Sequence, residues 1–77
     1  MPLYFLDIHD GRELVRDTEG STLNDLPAAQ LEATDTLTQM ARELFPGGGD
    51  KEISIDIRDI AGNALMHVAL KLSATRV

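Results

Sequence analysis

Glu52-Ile53-Ser54-Ile55-Asp56-Ile57-Arg58 alternates without a break, three isoleucines on one side and four polar side chains on the other. Only an extended chain, whose successive side chains point to opposite faces, sorts these residues cleanly. The stretch therefore predicts a strand with one face on a core and one in water, the pattern of an antiparallel sheet covered on one side. Downstream, Asp59 to Asn63 supplies a turn through Gly62-Asn63, and Ala64 to Leu72 predicts a further strand. Met66, Val68, Leu70 and Leu72 lie on one side of it, and Leu65, His67, Ala69 and Lys71 on the other.

Upstream, the period changes. Leu26, Ala29, Ala33, Leu37, Met40, Ala41 and Leu44 recur by threes and fours, so residues 26 to 45 predict an amphipathic helix. Asn24 or Asp25 can cap its first turn, and Pro27 fits there because its missing N–H has no helical partner in any case. Pro46 and the run Gly47-Gly48-Gly49 stop it. Before the helix, Leu3 to His9 is rich in aromatic and branched side chains and ends at Asp10-Gly11, a hairpin dipeptide. The charged run Glu13 to Asp17 then predicts a second strand at an edge. A two-residue loop would set Ile8 against Glu13 and Leu6 against Val15, whereas a three-residue loop shifts every pair.

The fold class is thus α+β, in the order ββαββ, with a four-stranded sheet and one amphipathic helix on one face. Counting these strands 1 to 4, strands 1 and 4 carry apolar residues on both faces, which favours the order 2-1-4-3 with 1 and 4 parallel; the alternative is an all-antiparallel 2-1-3-4 sheet. Residues 1 to 77 form a single domain, since a chain of 77 residues has room for only one core.

Thirteen acids against seven bases give a net charge of −6, which opposes contact with nucleic acid or an anionic membrane. Residues 1 to 49 hold nine acids and three bases, and residues 50 to 77 four of each. No cysteine is present, which removes disulfides and thiolate metal sites. The opening Met-Pro-Leu-Tyr-Phe-Leu-Asp lacks a basic start and a long apolar run, so a cytoplasmic location is expected.

Pro2-Leu3-Tyr4-Phe5-Leu6-Asp7-Ile8-His9-Asp10-Gly11, the segment Arg16-Asp17-Thr18-Glu19-Gly20 and the strand and turn Glu52 to Gly62 together resemble a family of short proteobacterial proteins catalogued as a domain of unknown function. The resemblance covers nearly the whole chain and carries no activity or site residues with it. A weaker similarity, in the hairpin followed by an acidic helix, is to antitoxin-like partial RNase H domains, from which the chain departs in showing no third strand before the helix.

Two functional classes remain. One helix covers one face of a sheet, so Leu65, His67 and Ala69 face the other way, joined by one set from the first strand, Leu3 with Phe5 or Tyr4 with Leu6 and Ile8. An apolar open face marks an interaction site, and the reading taken is a non-enzymatic module using Leu3, Phe5, Leu65, His67 and Ala69 toward a protein partner or a second copy, with no cofactor. The alternative is a small metal-binding or hydrolytic domain around Asp7, His9 and His67, since Asp7 and His9 share a strand face. Neither a phosphate loop nor a nucleophile elbow accompanies these residues.

Overall fold

The computed structural model describes residues Met1–Val77 and contains β1 (Leu3–His9), β2 (Leu14–Val15), β3 (Ser21–Thr22), α1 (Leu26–Leu44), β4 (Lys51–Arg58) and β5 (Ala64–Leu72). A single turn of 3₁₀ helix, Phe45–Gly47, follows α1. The fold is α+β, one helix on a five-stranded antiparallel sheet of order β2-β1-β4-β5, with β3 also paired to β1.

The favoured order 2-1-4-3 is therefore wrong, and the all-antiparallel alternative gives the path: β4, not β5, lies beside β1. The physical reason is that polar alternation does not mark an edge. In a sheet covered on one face only, a central strand alternates too, because its outward side chains meet water. β4 is that central strand, with Ile53, Ile55 and Ile57 fully buried, whereas Met66, Val68 and Leu70 of the edge strand β5 are half-buried.

The first hairpin also differs from the two-residue loop. Ile8 faces Val15 and His9 faces Leu14, so residues 10 to 13 form the turn. Asp10 sets this register: its Oδ1 accepts the N–H groups of Arg12 and Glu13 at 2.9 and 2.8 Å, and its own N–H donates to the Glu13 carbonyl. Gly11 takes φ +96°, where a side chain would be strained. A third strand does precede the helix, the two-residue β3, and it pairs with β1 rather than extending the hairpin.

Helix α1 starts as its sequence suggests, with the Asp25 carboxylate accepting the Ala28 N–H at 2.9 Å and Pro27 in the first turn. Its buried stripe is Ala29, Ala33 and Leu37. The two alanines let the helix sit close on Ile53, Ile55, Ile57 and Tyr4, and Leu6, Ile8, Met40, Met66, Val68 and Leu70 ring that cluster. Thr34, Thr36 and Thr38 return their hydroxyls to the carbonyls four residues back. No helix is long and apolar enough to cross a membrane.

Candidate functional site

With Tyr4, Leu6 and Ile8 turned to the helix, the alternation of β1 sends Leu3, Phe5, Asp7 and His9 to the open face. Register places Phe5 beside Arg58, Asp7 beside Asp56 and His9 beside Ser54. On the far side of β4, His67 stands opposite Asp56, Ala69 opposite Ser54 and Lys71 opposite Glu52. The pairing shifts at Ile57/Arg58, so that Arg58 faces Ala64 and Leu65 occupies the irregularity. The open face consequently divides. Leu3, Phe5 and Leu65 gather at one end, and His9, Glu52, Ser54, Asp56 and His67 line a shallow polar depression with Gly11 toward the other.

Between the two ends lies a clasp. The Arg58 Nε donates to Asp7 Oδ2 at 2.8 Å, its Nη2 reaches Asp7 Oδ1 at 3.4 Å, and the same Nη2 donates to the Asp17 carbonyl at 2.7 Å. The guanidinium also lies over the Phe5 ring, 4.5 Å from its centre. Asp17 closes the loop from its own side: its N–H donates to Asp7 Oδ1 at 2.8 Å, its Oδ2 accepts the Leu6 N–H at 3.0 Å, and its Oδ1 accepts the N–H groups of Glu19 and Gly20. Gly20 completes the cover at φ +76°, where a Cβ would come within 3.0 Å of Leu3 Cδ1 and 3.1 Å of Phe5 Cε1. The edge strand is thereby split into β2 and β3, with the residue 16 to 20 segment folded onto β1 between them.

Asp7 is buried, only 7% exposed, although it belongs to the face without a helix. Burial alone would raise its pKa; the Arg58 hydrogen bond, the Asp17 N–H and the charges of Arg58 and Arg16 outweigh it and hold the carboxyl below the usual 3.8. Asp17 follows the same pattern: burial raises it, and the N–H groups of Gly20, Leu6 and Glu19 with the Arg58 charge bring it below the usual value. Both are therefore firmly ionised at neutral pH, and every buried side-chain polar atom has a partner.

Of the residues considered for a metal or hydrolytic site, Asp7, His9 and His67 do share the open face, but the clasp separates them chemically. Both Asp7 oxygens are engaged by Arg58 and Asp17. His67 Nδ1 lies 2.5 Å from Asp56 Oδ1 in an exposed cross-strand pair, and His9 Nδ1 lies 3.4 Å from the Gly11 N–H, which donates to it. No three His, Asp or Glu side chains converge where they could hold a metal ion. Of the residues considered for interaction, Leu3 and Phe5 are half-buried under Gly20 and Arg58, while Leu65, His67 and Ala69 are exposed. No role is assigned to Asp17 or Arg58 from the sequence alone. The spacing Asp17 to Gly20, an acid followed three residues later by a glycine, is the usable signal for a side-chain-capped turn.

These features define a small one-helix domain on an open antiparallel sheet, pinned by an Asp–Arg–Asp clasp on its uncovered side. The chain belongs to the family described as Domain of unknown function (DUF6894), whose model matches residues 3–71. The three segments that carried the resemblance meet in the clasp and its adjoining turn: Phe5, Asp7 and Asp10 come from the first, Asp17 and Gly20 from the second, Arg58 from the third. No curated protein and no solved structure matches the chain.

Proposed function

We propose that this domain is a non-enzymatic protein-interaction module that works through the open face of its sheet, with Leu3, Phe5, Leu65, His67 and Ala69 as the contact residues. The observation that carries the reading is the collection of apolar groups at one end of that face. Leu65 is 39% exposed next to Arg58, whose guanidinium covers Phe5, and Ile60 in the adjoining turn is 75% exposed. A large side chain in water on a turn, next to further apolar surface, is what an interaction patch offers. The polar depression at the other end supplies the rim, with the Asp56–His67 pair available for orientation.

Asp7 supports the same reading by what it is engaged in. A carboxylate whose two oxygens are held by a guanidinium and a backbone N–H has little capacity left for a metal or a proton. The clasp instead rigidifies the surface under Phe5, and a pre-ordered surface loses less entropy on binding. Sedimentation equilibrium of the wild type beside Leu65→Glu and Ile60→Glu tests the proposal, since neither residue makes any hydrogen bond of the clasp. Association of the wild type that both variants weaken is expected. A wild type that stays monomeric at high micromolar concentration would remove self-association through this face.

A further inference from the structure

The two edges of the sheet are finished in opposite ways. On the β1 side, β2 and β3 pair at both ends, and where they leave β1 free the Leu6 N–H donates to the Asp17 carboxylate. On the other side, β5 runs nine residues, pairs only with β4, and contains neither proline nor an acidic residue, while its one charge, Lys71, and its irregularity at Leu65 lie near its two ends. A long regular edge with a row of unpaired N–H and C=O groups is a template for another strand, which chains ordinarily block with charge, proline or a bulge. Here one edge is blocked and the other is left open along most of its length.

We propose that β5 pairs antiparallel with β5 of a second copy, about a two-fold axis passing midway between the two Val68 residues, so that the two sheets become one. Geometry restricts the choice of register. Residues opposite each other across an antiparallel pair share a face, so a strand that pairs with its own copy must be centred on a residue and not between two. Val68 is the middle residue of Ala64–Leu72, and that centre uses the whole strand. Met66 then meets Leu70 of the second copy on the helix side, and His67 meets Ala69 on the open side. Centring on Ala69 would instead set His67 against Lys71, and centring on His67 would set two imidazoles together.

Burial and charge point the same way. Met66, Val68 and Leu70 are only half-buried beside the fully buried isoleucines of β4, so a strand added at this edge would complete their cover. The flank of α1 above β5 carries Thr34 and Thr38, which border a small cleft with Leu37, Val68 and Leu70, and helical spacing adds Gln30 and Ala41. None of these is charged, and the two threonine hydroxyls are already bonded to the helix's own carbonyls. In a chain of net charge −6, two copies repel unless they meet where acid is absent, and this flank and strand have none. The proposal goes beyond the open-face reading: the contact is an edge, and it leaves the open faces free and continuous across the axis.

Because the chain has no cysteine, single cysteines report the register directly. In this pairing Val68→Cys places two thiols across the axis at a Cα separation of about 4.5 to 5.5 Å, within the range of about 4.4 to 6.8 Å that a disulfide spans. His67→Cys and Ala69→Cys, both at exposed positions, should not link to themselves, because the two-residue offset holds like residues about 8 Å apart. Mixed together, those two should form the 67–69 heterodimer in preference to either homodimer. Rapid oxidation of Val68→Cys to a dimer, with selective 67–69 linkage, is the expected result. A wild-type dimer that Leu65→Glu disrupts and that none of these cysteines links would overturn edge pairing while upholding the open-face contact. A monomer at high micromolar concentration with no selective linkage would overturn edge pairing and remove self-association through the open face.

Discussion

Arg58→Ala should be among the most damaging single substitutions outside the isoleucine core. The side chain is only 16% exposed and its Asp7 partner 10%, so removing the guanidinium leaves a carboxylate buried with one N–H donor, from Asp17. Breaking a buried pair in this way costs about 3 to 5 kcal/mol. The lost hydrogen bond to the Asp17 carbonyl and the uncovered Phe5 ring add to the damage, but all three effects share one side chain and do not sum. A total of about 3 to 5 kcal/mol is expected, against a stability of about 4 to 12 kcal/mol for 77 residues at ~0.05 to 0.15 kcal/mol each. Urea unfolding followed by circular dichroism at neutral pH measures it, with Arg58→Lys as the milder comparison that keeps the charge and loses the fork. The loss must also depend on pH. In the wild type the lowered pKa of Asp7 makes the clasp fully stabilising above the usual value of 3.8 and progressively weaker as pH falls through the lowered one. In the variant, Asp7 gains by protonation, so the difference between the two proteins should narrow below about pH 4. A difference under about 1 kcal/mol, constant from pH 7 to pH 3, would refute the assignment of the clasp as a buried ion pair.

Leu37→Ala should cost about 2 to 5 kcal/mol, since Leu37 is 2% exposed over the isoleucines; an unchanged melting temperature would mean the helix packs by another face. Gly20→Ala should destabilise by about 1 to 3 kcal/mol, because φ +76° strains any L residue and its Cβ would press on Leu3, Phe5 and the Tyr4 carbonyl, and thermal unfolding checks it. Asp17→Asn should lose stability at neutral pH and show a shallower acid unfolding curve than the wild type, because one carboxyl with a lowered pKa has been removed.

What the sequence reveals of the fold follows the range of the forces involved. The alternation of Ile53, Ile55 and Ile57 and the spacing of Ala29, Ala33 and Leu37 are local periodicities, and both became core faces where they were expected. Asp25 at the helix start and Pro46 at its stop are equally local. Strand order is not local. Apolar residues on both faces of the first and last strands favour central places for them, but in a half-covered sheet the central strand β4 has a polar side that meets water. The hairpin register stays open in the sequence for a related reason, since the Asp10 carboxylate draws in two N–H groups and lengthens the turn beyond what Asp-Gly alone suggests. The clasp joins Asp7, Asp17 and Arg58 across 51 positions of the chain, and nothing in the spacing of Arg58 reveals its partners.

Amide chemical shifts followed through a dilution series decide whether the uncovered side of the sheet is a contact surface. Concentration-dependent shifts are expected at Leu3, Phe5, Ile60 and along β5 from Ala64 to Leu72, with the outer face of α1 around Leu31, Asp35 and Arg42 unmoved. Shifts that stay constant across the whole series, or that move on the outer face of the helix instead, would contradict that expectation.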